Sequence, residues 1–181
     1  YAQQVLDTLK NQYLKHAPGY LHVYCNDGFT LIEQLVKAKT GKEFAWFVQD
    51  EIFTPLGMNH SRYPLDYFPA GTFARAYKQN QLQPQEFTNA YASGGLYSTP
   101  SDMAKIAMMF MNGGKAGAVH ILSAESVREM GTDQTIASFD PVPASMLRYG
   151  LGWDTVAQAT LKSVNVISWV KGGDTSDYHS S

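Results

Sequence analysis

Apolar residues recur at helical spacing in three stretches of the chain. Over residues 29–39, Phe29, Ile32, Leu35 and Val36 fall on one face, with Asn26 or Asp27 available as N-cap and Gly41 as C-cap, so the spacing predicts a helix. In EFAWFVQDEIF, Phe44, Phe47, Val48 and Ile52 line one side of a second helix. It is predicted to stop at Pro55, because a proline disfavours helical geometry in the residue before it. The Thr40-Gly41-Lys42 turn joins the two into an αα-hairpin. The third stretch opens on Thr99-Pro100-Ser101-Asp102, a capping-box pattern with proline at the first helical position. Met103, Ile106, Ala107 and Phe110 then share a face, and Gly113-Gly114 ends the run. The methionine-rich stripe from Met103 to Met111 reads as core.

Between these helices the pattern is lost. Residues 59–97 carry Pro64, Pro69, Gly71, Pro84 and Gly94-Gly95 without steady periodicity, which predicts a long, loop-rich excursion of the kind that often carries binding groups. Ser123 to Met130 reads as a short helix and Tyr149-Gly150-Leu151-Gly152-Trp153 as a turn into a strand. Ser163 to Val170, SVNVISWV, is rich in β-branched and aromatic residues and reads as a buried strand. There is no internal repeat and no low-complexity segment. One good strand needs partners, so the layout is that of a single incomplete domain over 1–181: helical to about 148, sheet-associated over about 149–181.

Composition narrows the function classes. The 181 residues are 44% hydrophobic, enough for one packed unit, and only 17% charged against about 25% in an average domain. Fourteen basic and sixteen acidic residues give −2, and no Lys/Arg stripe could neutralise phosphates, which argues against nucleic acid as a partner. The longest apolar run is Ile106 to Met111, too short to span a bilayer, so membrane association is expected only through segments not in this chain. YAQQVLDTLK is no signal peptide, and the missing initial Met suits a processed product or a fragment. The histidines at 16, 22, 60, 120 and 179 show no metal-ligand spacing, so neither a metal nor a cofactor is expected. Cys25, the single cysteine, reads as a small packing residue, and His179 as an exposed one.

Five short motifs occur in a telling order: Tyr24-Cys25-Asn26; Ile52-Phe53 with Pro55-Leu56-Gly57-Met58; Gly94-Gly95-Leu96-Tyr97-Ser98 with Asp102; Tyr149-Gly150-Leu151-Gly152-Trp153; and Lys171-Gly172-Gly173-Asp174-Thr175. In this order the chain resembles the serine β-lactamases and penicillin-binding proteins. The class C β-lactamase-like branch, with its D,D-carboxypeptidases, D-aminopeptidases and esterases, is the best match. The resemblance implies an α/β fold of α+β type, β-lactamase/transpeptidase-like, with the Lys-x-Gly strand in an antiparallel sheet. It also implies an acyl-enzyme mechanism on a small-molecule or peptide substrate, and an extracytoplasmic location.

Carried onto this chain, the resemblance makes Tyr24 and Lys171 catalytic. Tyr24 would be a general base or proton shuttle whose phenol is made more acidic by neighbouring ammonium groups. Lys171 would place positive charge near the tyrosine and the substrate carboxylate. Asn26 would hold the substrate amide, and Gly173, Asp174 and Thr175 would position substrate. The middle of the lysine motif departs from the family: Gly172 stands where threonine or serine is common.

The family's nucleophile is a serine in Ser-x-x-Lys on a helix, where positions three apart share a face. The resemblance implies that it lies upstream of Tyr1, and that residues 1–181 alone are catalytically inactive. Two look-alikes are set aside. Lys39-Thr40-Gly41 spells the family's strand motif but closes the helix beginning near Asn26, which puts it on the order of 20 Å from Tyr24. Ser168-Trp169-Val170-Lys171 spells Ser-x-x-Lys but falls in the predicted strand, where an offset of three sends the side chains to opposite faces. A non-catalytic protein of the same fold, binding cell-wall peptide or a protein partner, is the alternative reading.

Overall fold

A computed structural model describes residues 1–20, 24–135, 148–157, 161 and 163–180. Helix α1 (Ala2–Leu9) packs on α2 (Asn26–Thr40), and α2 leads through a left-handed Gly41 at φ 74° into α3 (Phe44–Val48). The predicted hairpin and its glycine cap are therefore present, and Lys39-Thr40-Gly41 is a helix end. Cys25 rather than Asn26 or Asp27 is the N-cap, in extended geometry, and Asn26 is the first helical residue.

The second helix does not stop before Pro55. After α3 the coil widens into a π-type turn over Gln49–Phe53 and closes with α4 (Thr54–Leu56) at left-handed Gly57. A proline ring in a regular α-helix meets the carbonyl four residues back. The wider turn, in which the Thr54 N–H donates to the Gln49 carbonyl, makes room for it.

Phe53, Leu56 and Met58 pack with Val48 and with Met109 of α5 (Pro100–Met111) as the buried centre, bordered by Phe44, Ile52, Tyr63, Ile106 and Phe110. The Met103–Met111 stripe is core only in part, through Met109 with Ile106 and Phe110 beside it. Met109 is buried, whereas Met103, Met108 and Met111 are exposed, because α5 turns the face of Asp102, Ile106 and Met109 inward.

Asp102 is 1% exposed and completes only half of the expected capping box. The Thr99 hydroxyl accepts from the Asp102 N–H (3.2 Å), but the carboxylate reaches away from the helix start. It accepts from the His60 N–H (2.8 Å) and the Ser61 hydroxyl (2.9 Å) and pairs with Lys105 (2.9 Å). Lys105 also donates to the Gly57 carbonyl, so one buried acid ties α5 to the end of α4. The Lys105 ammonium, the largest influence, holds the Asp102 carboxyl below its usual range.

Residues 59–97 are mostly irregular, as expected, but include the hairpin β1 (Tyr77–Lys78) with β2 (Gln81–Leu82) and a bridge from Arg62 to Tyr97. A second hairpin, β3 (Lys115–Ala116) with β4 (Val119–His120), precedes the expected short helix α6 (Ala124–Met130), with Ser123 as its N-cap rather than its first residue.

The strand expected at Ser163–Val170 is absent. Residues 163–165 form a turn with Asn165 at φ 57°, and Val164 and Ile167 are 65% and 84% exposed. Only Val170 bridges, to Thr155. No described strand runs beside 163–169, and β-branched side chains without a neighbouring strand have nothing to pack against. The strand near the lysine motif starts later, as β5 (Gly173–Asp174) antiparallel to β6 (His179–Ser180). Two-stranded antiparallel pairs between helices make this an α+β arrangement.

Candidate functional site

The two residues predicted to be catalytic face each other although 147 positions separate them in sequence. Tyr24 sits two residues ahead of α2, and the Lys171 ammonium lies 5.9 Å from the centre of its ring. Both line a cleft of about 340 Å³ between the start of α2 and the Tyr149–Asp154 turn. Phe29 and Ile32 enter it from α2, Tyr149 and Trp153 from the turn. The N-terminal half of the periodic apolar face of α2, Phe29 and Ile32, is thus a partly exposed wall of the cleft. What α2 buries instead is Thr30 and Glu33, the latter accepting from the Ala92 N–H (2.9 Å). Burial pushes the Glu33 carboxyl up, partly offset by the Ala92 and Tyr91 backbone donors.

The opposite wall is held by close approaches. A Cβ on Gly150 would lie 2.4 Å from the Met130 carbonyl oxygen, and one on Gly131 would lie 2.0 Å from the Trp169 ring. The Leu151 N–H donates to Met130 and the Gln134 N–H to Tyr149, which seats the turn on the end of α6. Phe110 meets Trp153 and Trp169 edge-on at 5.1 and 6.1 Å, the two indoles lie tilted at 5.5 Å, and the cluster fastens the turn to α5.

Lys171 carries a partner that motif reading missed. Its Nζ donates to Asp154 Oδ2 (3.2 Å) and to the Gly172 carbonyl (2.6 Å). The same Asp154 oxygen accepts from the Gly172 N–H (2.8 Å), and the Asp154 N–H donates to Val170 (2.9 Å). One carboxylate therefore fixes both the chain and the charge of the lysine motif. The only sequence signal was its place, directly after Tyr149-Gly150-Leu151-Gly152-Trp153.

The other candidate residues lie apart from the cleft walls. Asn26 is exposed in the first turn of α2, its carbonyl accepting from the Thr30 hydroxyl (3.2 Å). Gly173 pairs with Ser180 across β5 and β6. Asp174 holds His179 at 2.5 Å, and the Thr175 hydroxyl accepts from the Tyr178 N–H (3.1 Å). His179 is exposed, as expected. Tyr178 anchors this hairpin to the long excursion by donating to the Ala74 carbonyl (2.9 Å).

Cys25 is not a packing residue: it is exposed and lines the cleft, because the helix N-cap projects outward there. Ser168 makes no hydrogen bond to Lys171. Its hydroxyl is buried with no hydrogen-bond partner among the described residues, although the strand once expected there is missing. No group of three or more ligating side chains clusters among the described residues.

The Beta-lactamase family profile matches residues 1–178. The chain belongs to this family. A candidate D-alanyl-D-alanine carboxypeptidase of Escherichia coli O157:H7 is 25% identical over 183 residues, covering 87% of the chain and 40% of that protein. The chain spans about 40% of the length of the curated relatives it matches. Among solved structures, the D-amino acid amidase of Ochrobactrum anthropi SV3 is 26% identical with TM-score 0.58, covering 74% of the chain and 39% of the amidase. A D-stereospecific amidohydrolase of Streptomyces sp. shares the fold at TM-score 0.71 and 20% identity, covering 97% of the chain and 50% of that structure. The chain thus has the β-lactamase/transpeptidase-like fold, and the motif order of this Beta-lactamase family member coincides with a fold in which Tyr24 and Lys171 meet.

Proposed function

We propose that the protein carrying this chain is a serine hydrolase that cleaves amide or ester bonds through an acyl-enzyme. The observation that carries the reading is the meeting of Tyr24 and Lys171 at one cleft. Family membership supports it, as do relatives named for D-alanyl-D-alanine carboxypeptidase and D-amino acid amidase activity.

In this scheme a serine outside residues 1–181 adds to the substrate carbonyl, and its proton passes by way of the Tyr24 oxygen to the leaving nitrogen or oxygen. The carbonyl carbon's bond to the leaving group breaks. Water then adds to the acyl-serine ester, giving one proton to the serine oxygen and its hydroxyl to the released acid. Lys171 supplies positive charge beside the phenol. Asn26 and the Gly173–Thr175 segment guide substrate at the cleft margin, in surroundings outside the cell membrane. Among the described residues no helix is long and apolar enough to cross a membrane.

The test is Tyr24→Phe in the full-length polypeptide. Turnover of amide or ester substrates is expected to fall by a factor of about 10²–10⁴, the usual worth of one proton-transfer group, with unfolding unchanged. Unaltered kinetics would remove Tyr24 from the chemistry. Residues 1–181 alone are expected to leave a chromogenic cephalosporin intact. Saturable binding of cell-wall peptide, without covalent labelling by penicillin, would favour the binding-protein reading that Gly172 keeps open.

A further inference from the structure

The charges at the cleft, taken with the hydrolase reading on which this inference rests, bear on the class of substrate. Among the described residues that line the cleft, Lys171 is the only ammonium or guanidinium and Asp154 the only carboxylate. They are bonded to each other at 3.2 Å. An ammonium has three donors, and Lys171 directs two of them to Asp154 and to the Gly172 carbonyl before any ligand arrives.

Asp154 cannot swing away without cost, since the oxygen facing Lys171 also accepts from the Gly172 N–H (2.8 Å). A substrate carboxylate brought to Lys171 would come up against the Asp154 carboxylate, and like charges a few ångströms apart repel. Gly172 offers no hydroxyl that could take up such a carboxylate instead. The remaining surface is chiefly apolar and aromatic, from Phe29, Ile32, Tyr149 and Trp153. Such a wall favours uncharged groups, which lose little on leaving water.

We infer that this site prefers substrates in which an uncharged amide or ester, rather than a free carboxylate, lies next to the bond that is cut, and that Asp154 sets this preference by occupying Lys171.

The experiment compares N-acetyl-D-alanyl-D-alanine with its carboxamide, which differ only in the terminal charge, as substrates of the full-length polypeptide. The carboxamide is expected to have a kcat/KM larger by about tenfold or more, the factor that one charge-assisted contact carries. Asp154→Asn should shrink that ratio about tenfold by freeing Lys171, whereas Asp154→Glu, which keeps the charge, should preserve it. Circular dichroism checks that both variants fold. Equal or better use of the free acid overturns the inference and leaves the hydrolase reading standing, as does a ratio unmoved by Asp154→Asn. Hydrolysis of neither compound by the folded protein overturns the hydrolase reading, and this inference with it.

Discussion

The centre around Phe53 and Met58 and the cleft beside Tyr24 are built on opposite terms. In the centre, Phe53 and Met58 are 3% and 1% exposed, and the buried carboxylate beside them, Asp102, has three kinds of partner. At the cleft, Tyr24 is 63% exposed and Lys171 is held by a single carboxylate and a carbonyl. Packing carries the stability of the first region. The second spends apolar side chains such as Phe29 and Ile32 on a surface, which is what a binding wall requires.

The contrast can be broken most forcefully at the centre. Phe53→Ala is expected to cost about 3–5 kcal/mol in urea unfolding, the range for emptying a buried aromatic site. A loss below about 1 kcal/mol would mean that the centre is no better packed than the cleft. Asp102→Asn comes next. A carboxyl with a lowered folded value contributes stability that is present above the ordinary value of 3.8 and lost as pH falls through the lowered one. The variant should therefore be less stable than the parent at pH 7, with the gap closing in acid. A gap independent of pH would show that charge has no part in joining α4 to α5.

The joint between the two regions gives a smaller effect. Gly131→Ala places a Cβ 2.0 Å from Trp169, and relieving that clash is expected to cost about 1–3 kcal/mol and to loosen the cleft's far wall. Trp fluorescence alongside thermal unfolding separates the two consequences. An unchanged emission and melting temperature would show that Trp169 is not seated against α6. Smallest of all is Glu33→Gln, expected to shift stability at pH 7 by less than about 1 kcal/mol, because an amide oxygen can also accept from Ala92. Here the sign is the reverse of Asp102. A carboxyl raised by burial contributes most below its ordinary value of 4.5 and loses that contribution as pH rises through the raised value. The parent should gain on the variant as pH is lowered, and a parent that loses ground in acid would show that burial does not dominate at Glu33.

Much of the helical region was legible because its signals are local. The Gly41 cap and the Thr99 N-cap and Pro100 start of α5 each depend on neighbours within a few residues. The errors arose where a distant partner decides. Ser163–Val170 has strand composition but no described strand beside it, and among the methionines of Met103–Met111 only Met109 is buried, with Ile106 and Phe110 at the border of the centre. Pro55 was misjudged for a subtler reason, since the π-type turn that admits it leaves no mark in the apolar pattern.

By itself the sequence determined the Gly41 end of α2, the Thr99-Pro100 start of α5, the order of the five motifs and hence the family, since these follow from residue identity and short spacing. Which residues share a site was settled by tertiary structure. Tyr24 and Lys171 meet only because Gly131 and Gly150 let the Tyr149–Asp154 turn sit against α6 and Trp169, and because Asp154 holds the lysine motif across seventeen residues. Close backbone approach and a long-range ion pair are properties of three-dimensional packing, and no periodicity along the chain encodes them.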